Sequence, residues 1–344
     1  MRVLLVPYPD TWTIEGGHKT QLFQTARALR SADTTVVIGD VGLAGSRWFD
    51  VVHYFGDPRP LLANGRPRGR LVVSPIYFPA WFEPGPLRWR GGCRTWITSH
   101  LWYRLRRLKH PGRRRRQLDE VRSRVRAMAE ADVIVTNSAA ETRLLEADAD
   151  GPLTDIRVAH NGVDPSFFSG SVEAGRLLLG PEPFVLCVGR IEPRKNQLTL
   201  ARAMRSVPRR LVLLGTVLPG NEGYLRACQD VLPSLAHVSH VGDRLPHVYA
   251  AADVHVLPSW YETTGLTTLE AMAAGTPGVA GHGPCVEYYF EHAAGVRLHQ
   301  PGDQRGLRAS ILDALEAPRG QGRELASRYT WERTAKELLD AYQC

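Results

Sequence analysis

Leu257-Pro-Ser-Trp-Tyr-Glu-Thr-Thr-Gly-Leu-Thr-Thr-Leu-Glu-Ala-Met-Ala-Ala-Gly-Thr-Pro277 carries more information than any other stretch of this chain. The apolar run Val254–Leu257 at its head reads as a buried strand, and the spacing near Thr267–Ala274 reads as a helix. Glu262 closes the loop after the strand. Glu270 follows eight residues on, about two turns into the expected helix. Between them, Thr264-Gly265-Leu266 falls at the helix start, where unpaired N–H groups and a partial positive charge suit a phosphate. Gly265 lets the backbone approach a ligand closely, and the two carboxylates suit hydrogen bonds from sugar hydroxyls. A helix behind an ordinary polar loop explains the spacing equally well, so the surroundings must decide.

Outward from this stretch, strand, loop and helix alternate. Val3–Val6 reads as a strand, a turn-rich stretch follows through Gly16-Gly17, and Thr20–Arg30 is helical at Leu22, Ala26 and Leu29. Short apolar runs follow at Thr35–Ile38, Val51–Tyr54, Leu71–Val73, Val133–Thr136 and Ile156–Ala159. Runs of this kind are the mark of buried parallel strands covered by helices on both faces. The count restarts with Phe184–Val188 as a strand, Gln197–Met204 as a helix, Leu211–Leu214 as a strand and Tyr224–Asp230 as a helix. Trp331–Tyr342 closes the series as an amphipathic helix. The expected fold is α/β, with two doubly wound halves joined near Asn161–Ser171. In open α/β sheets ligands bind at the carboxyl ends of the strands, near the point where strand order reverses. Two such sheets facing one another would place a site in the cleft between them.

The segment from Glu262 to Glu270 resembles the E-x7-E signature of retaining glycosyltransferases of family 4 (glycosyl transferases group 1), which have the GT-B fold of two Rossmann-like domains. Other matches occur in order along nearly the whole chain. Gly16-Gly17 resembles the family's N-terminal glycine pair, and Asp50-Val51-Val52-His53 its second-sheet-strand motif. Asn161-Gly162-Val163-Asp164 resembles the hinge, and Gly189-Arg190 with Arg194-Lys195-Asn196 the basic donor-phosphate motif. Tyr329-Thr-Trp-Glu-Arg resembles the start of the last helix. The resemblance implies an acceptor-side domain at residues 1–165, a nucleotide-sugar domain at 166–328, and a helix at 329–344 crossing back to the first.

It also implies roles. Arg190 and Lys195 would hold a nucleotide diphosphate and stabilise its leaving charge, while Glu262 takes the donor sugar and Glu270 the ribose. Gly16, Gly17, Thr264, Gly265 and Leu266 complete the donor site. The implied reaction moves a sugar from a UDP- or GDP-linked donor to an acceptor hydroxyl with retention of configuration, without a metal or other cofactor. The chain's D-x-D, Asp148-Ala-Asp150, reads as a polar loop. Where many relatives carry a histidine after an N-domain strand, this chain has Val73-Ser-Pro-Ile-Tyr77. Tyr77, His53 and His100 are therefore the acceptor-side candidates. Tyr261-Glu-Thr-Thr-Gly also replaces the more usual Gly-Phe-Gly type of loop. His240-Val-Gly-Asp243 is expected to flank the base. A GT-B phosphorylase or epimerase, or a non-catalytic sugar-nucleotide-binding or membrane-associated scaffold protein, are the rival readings.

Composition bounds these choices. The 344 residues suffice for two domains, and no apolar run approaches the ~18–20 residues of a membrane span. Arg2-Val-Leu-Leu-Val6 breaks at Pro7, too short for a secretory signal, so a cytoplasmic location is expected. Five scattered cysteines without a C-x-x-C pair argue against a disulfide framework or thiolate metal site. The net charge of +8 is local: residues 88–126 hold fourteen basic side chains against Asp119 and Glu120. Trp81, Trp89, Trp96 and Trp102 lie in or beside that stretch. Tryptophan and clustered arginine favour an anionic lipid surface, which would present a lipid-linked acceptor at the inner face of the cell membrane; a glycan or secondary-metabolite intermediate is the other expected acceptor. A nucleic-acid partner is not expected.

Overall fold

The computed structural model describes residues 1–7, 9–12, 16–82, 111–153 and 155–343. The apolar runs become strands of two parallel sheets, six strands in each among the described residues. The first holds β1 (Arg2–Val6), β2 (Thr35–Ile38), β3 (Val51–Phe55), β4 (Arg70–Ser74), β5 (Val133–Thr136) and β6 (Asp155–Val158), ordered β2-β1-β3-β4-β5-β6. The second holds β7 (Phe184–Val188), β8 (Arg210–Leu214), β9 (Ala236–Val238), β10 (Val254–Leu257), β11 (Gly278–Gly281) and β12 (Val296–His299), ordered β12-β11-β10-β7-β8-β9. Strand order reverses between β1 and β3 in one sheet and between β7 and β10 in the other. Those are the positions where a doubly wound sheet opens a crevice.

Three strands are not evident from the sequence, for identifiable reasons. β9 has three residues, β11 is Gly-Val-Ala-Gly with two apolar side chains, and β12 alternates Val-Arg-Leu-His. None presents the continuous β-branched run that marks the others. The Asp50–His53 motif forms the start of β3, the third strand in chain order, although it lies next to β1. The helix after β10 spans Leu266–Ala273, one residue earlier than expected, and Glu270, four residues past Leu266, stands just over one turn from its start and not two.

Two compact units carry the sheets. One comprises residues up to 82, 111–162 and 330–343, and the other 163–329. In the first, the Gly17–Ser31 helix and the Trp331–Gln343 helix cover one sheet face, burying Leu22, Ala26, Leu29, Trp331, Leu338 and Tyr342. The Pro111–Met128 helix covers the other face through Val121, Val125 and Met128. Each fully buried side chain of this size contributes about 1.5–3 kcal/mol. Gly162 makes the chain crossing possible: a Cβ there would meet the Trp331 nitrogen at 2.3 Å. The C-terminal helix is fastened beside it. Glu337 accepts from the His160 backbone N–H at 2.8 Å, and Thr334 Oγ1 donates to the His160 carbonyl at 2.6 Å.

Candidate active site

The strand-order reversal in the second sheet places the loop after β7 beside the loop after β10. Backbone and side-chain bonds join the two loops. Trp260 N–H donates to the Arg194 carbonyl at 3.0 Å, and Asn196 Nδ2 donates to the Pro258 carbonyl at 3.0 Å. Arg194 Nη1 donates to the Tyr261 carbonyl at 3.2 Å. Asn196 occupies the left-handed region at φ 58°, which asparagine tolerates better than most residues. Its Oδ1 accepts from Thr199 Oγ1 at 2.7 Å, locking the turn that presents Lys195.

On this frame the expected catalytic residues meet. Lys195 Nζ donates to Glu262 Oε1 at 2.6 Å, and Arg194 approaches the same oxygen at 3.7 Å. Glu192 takes the remaining cations, Arg194 at 2.9 Å and Arg190 at 3.2 Å. The Lys195 and Glu262 side chains are 13% and 14% exposed, so their charges interact in partly desolvated surroundings. Burial draws the Lys195 ammonium below its usual value despite the attraction of Glu262. Burial alone would push Glu262 up, but Lys195 and Arg194 outweigh it and hold the carboxyl below the usual glutamate range. Three cations face two carboxylates, so the cluster carries a net positive charge.

Gly265 starts the helix after this loop at φ 77°, a conformation that disfavours any residue with a Cβ, and no side chain caps the helix. Thr264 is buried and Leu266 half-buried beside it. Glu270, on the next turn, accepts from the Tyr249 hydroxyl at 2.8 Å. Burial pushes its carboxyl up to about 7, with Asp164 of the hinge motif adding in the same direction. Glu192, Arg194, Tyr249 and Asp164 have no role assigned from the sequence. Only Arg194 and Asp164 lie within quoted motifs, while nothing in the local pattern marks Glu192 or Tyr249.

The remaining candidates fall elsewhere. In the first unit the Gly16 carbonyl accepts from the Lys19 and Thr20 N–H groups and opens the helix that starts at Gly17. His53 is fully buried, its Nδ1 2.7 Å from the Tyr342 hydroxyl and its Nε2 2.9 Å from Ser74 Oγ. Burial lowers its imidazole to about 3. Both ring nitrogens are engaged inside the unit, so His53 joins the last helix to the sheet and does not face an acceptor. Tyr77 is likewise buried, its hydroxyl donating to Asp148 at 2.5 Å. Asp150 pairs with Arg122 at 2.9 Å and Arg126 at 2.7 Å. Among the described residues no group of three or more His, Cys, Asp or Glu side chains is arranged to hold a metal ion. In the expected base-flanking stretch, Gly242–Arg244 forms a short 3-10 turn. His100 and most of the 88–126 stretch lie outside the described residues.

Comparison with solved structures bears on the fold. Sucrose-phosphate synthase from Thermosynechococcus elongatus superposes with a TM-score of 0.75 over 100% of this chain and 98% of that one, at 18% identity. Anabaena HepE in complex with UDP-glucose gives 0.75 over 99% of each chain, at 17% identity. The fold and the paired loops at the sheet reversal define an α/β protein of the GT-B class. A model for Glycosyltransferase Family 4 matches residues 15–167, and one for Glycosyl transferases group 1 matches residues 182–317. The D-inositol 3-phosphate glycosyltransferase of Stackebrandtia nassauensis is 31% identical over 325 residues, covering 81% of this chain and 71% of that protein. A GDP-mannose-dependent alpha-(1-6)-phosphatidylinositol monomannoside mannosyltransferase of Mycobacterium tuberculosis is 29% identical over 249 residues, 65% of each. The chain belongs to glycosyltransferase family 4 and is a glycosyltransferase.

Proposed function

We propose that this enzyme transfers a sugar from a UDP- or GDP-linked donor to an acceptor hydroxyl with retention of configuration. The observation that carries the reading is the Lys195–Glu262 pair, held at 2.6 Å where the second sheet reverses. In this reading Arg190 and Lys195 bind the donor diphosphate, Glu262 accepts hydrogen bonds from the sugar, and Glu270 accepts them from the ribose. Thr264, Gly265 and Leu266 supply the uncapped helix start toward the phosphates, and Gly16-Gly17 lets backbone approach the donor. The acceptor oxygen attacks the anomeric carbon on the face from which the diphosphate departs. The new C–O bond forms as the old one breaks, and the acceptor's proton passes to the leaving phosphate oxygen. Lys195 and Arg190 stabilise the charge that develops on that oxygen, an effect worth about 3–4 kcal/mol for a single well-placed donor. The names of the relatives support an acceptor carrying an inositol phosphate, free or lipid-linked, and no cofactor beyond the donor is invoked.

Glu262→Gln keeps the shape of the side chain and removes its charge. Turnover of GDP-mannose or UDP-glucose should fall at least about 100-fold, with the melting temperature measured alongside because breaking a mostly buried pair costs stability. Near-normal turnover in Glu262→Gln or in Lys195→Met would overturn the role given to that residue.

A further inference from the structure

Ile76 holds a backbone conformation that its side chain opposes. Its φ is 45°, and for a β-branched residue this is an outlier that persists only where the surroundings over-determine it. They do so on every side. Ser74 Oγ is bound by His53 at 2.9 Å, and the Ser74 carbonyl accepts from Gly56 N–H at 2.7 Å. The Tyr77 N–H donates to Glu141 Oε1 at 2.6 Å, and the Tyr77 hydroxyl is bound by Asp148. Glu141 is fully buried, and its second oxygen accepts from the Asn137 N–H at 2.6 Å. Asn137 in turn accepts from Gln21 on the helix that begins at Gly17. One buried carboxylate therefore ties together the ends of β4 and β5 and, through Asn137, the helix that follows β1. All three meet at the carboxyl end of the first sheet, the end at which such sheets bind ligands. Pro75 and Tyr77 on either side of Ile76 are buried, whereas Ile76 itself is half-buried.

We propose that the Ser74–Tyr77 turn is a preorganised acceptor-recognition element, in which Ile76 is the contacting, specificity-determining side chain and Glu141 the residue that positions it. Ile76 offers an apolar contact, suited to the C–H face of a cyclic polyol or sugar ring and unsuited to a hydroxyl or charged group at that point. The inference rests on the proposed transfer reaction, with the acceptor on the first unit. Glu141 touches no substrate and acts only through the turn.

The test compares wild type, Ile76→Gly, Ile76→Asn, Glu141→Gln and the Ile76→Gly/Glu141→Gln double variant. GDP-mannose and UDP-glucose serve as donors, with D-inositol 3-phosphate and phosphatidylinositol as acceptor probes. Transfer and donor hydrolysis by water are measured separately, and UDP and GDP binding by calorimetry. Glycine and asparagine both tolerate φ 45°, so these variants relieve the strain and should melt no lower than wild type. The expected result is a rise of at least tenfold in acceptor KM for Ile76→Asn and Ile76→Gly, with donor hydrolysis and nucleotide affinity within twofold. Glu141→Gln should raise acceptor KM in the wild-type background and have no further effect in the Ile76→Gly background, because its action passes through Ile76. Acceptor KM within twofold of wild type in both Ile76 variants, or equal losses in transfer and hydrolysis, would overturn the inference and leave the transfer reaction standing. Equal effects of Glu141→Gln in both backgrounds would remove Glu141 from it. A wild-type enzyme that binds nucleotide yet neither transfers to the probes nor hydrolyses donor would instead refute the proposed reaction, and this inference with it.

Discussion

Glu270 shows what a single residue's surroundings can dictate. Its carboxyl is pushed up to about 7 by burial, so in the folded protein it binds a proton that the unfolded chain releases near its ordinary value. The stability this proton contributes is complete at pH values below the unfolded glutamate's range and is lost as pH rises through about 7. Glu270→Gln removes that dependence. The variant should gain about 1–3 kcal/mol on wild type between pH 5 and pH 8, read from denaturant melts across that window. Glu141, also raised to about 7 by burial, is common to both proteins and cancels in the difference. If the ribose hydroxyls donate to Glu270, they favour its charged form. Nucleotide binding near pH 6.5 should then release a proton, visible as a buffer-dependent heat in calorimetry, and Glu270→Gln should abolish the dependence. Residues of this kind divide sharply in how legible they are. Lys195 and Glu262 stand in motifs, and the sequence suffices to assign both to one site. For Glu192 and Tyr249 it does not suffice, because their partners lie across the fold and no local spacing announces them. His53 is legible only as a histidine. That both its nitrogens are consumed inside the unit depends on Tyr342, 289 residues away in sequence.

At the level of elements, the strands at the centre of each sheet are readable because both their faces are buried and their runs are unbroken. The edge and near-edge strands β9, β11 and β12 are not, being short, glycine-containing or mixed in polarity. The helix bearing Glu270 starts one residue before its apolar spacing suggests, because its N-cap is Gly265, with no capping side chain, while the threonines that would suggest a cap lie on either side of it. The hinge shows the opposite case, where a motif has a plain steric cause. Gly162 lies against the backbone of Thr330 and Trp331, with the site of its missing Cβ 2.3 Å from one nitrogen and 2.4 Å from one carbonyl carbon. Gly162→Ala must push the C-terminal helix, with its Thr334 and Glu337, away from His160. It should cost about 1–3 kcal/mol, seen as a lower urea midpoint with an unchanged slope.

For the molecule as a whole, fold class and two-unit organisation follow from the count of strand-and-helix repeats, while the exact parting points do not. The chain leaves one unit between Gly162 and Val163 and returns between Tyr329 and Thr330, where the sequence suggests 165/166 and 328/329. Charge needs a similar refinement. Residues 88–126 carry a large positive excess, but some of it is committed within the protein. Arg122 and Arg126 share Asp150, and Arg124 donates to the Phe78 carbonyl at 2.9 Å. No helix among the described residues is long and apolar enough to cross a membrane. The proposal that this stretch docks on anionic lipid predicts co-sedimentation with vesicles containing phosphatidylinositol and not with neutral ones, weakening as salt is raised. Equal binding to both, or to neither, would end it.

The discontinuity of the first unit also has a consequence in time. Its sheet is synthesised by residue 158, yet the helix that helps cover one face with Trp331, Leu338 and Tyr342 begins only at residue 331. Between them the ribosome must assemble the whole of residues 163–329, which at about 5–20 residues per second takes on the order of 10–30 s. Throughout that interval the nascent chain carries an apolar sheet face covered only in part, by the Gly17–Ser31 helix. The second unit, continuous in sequence among the described residues, can close before the first unit receives its covering helix.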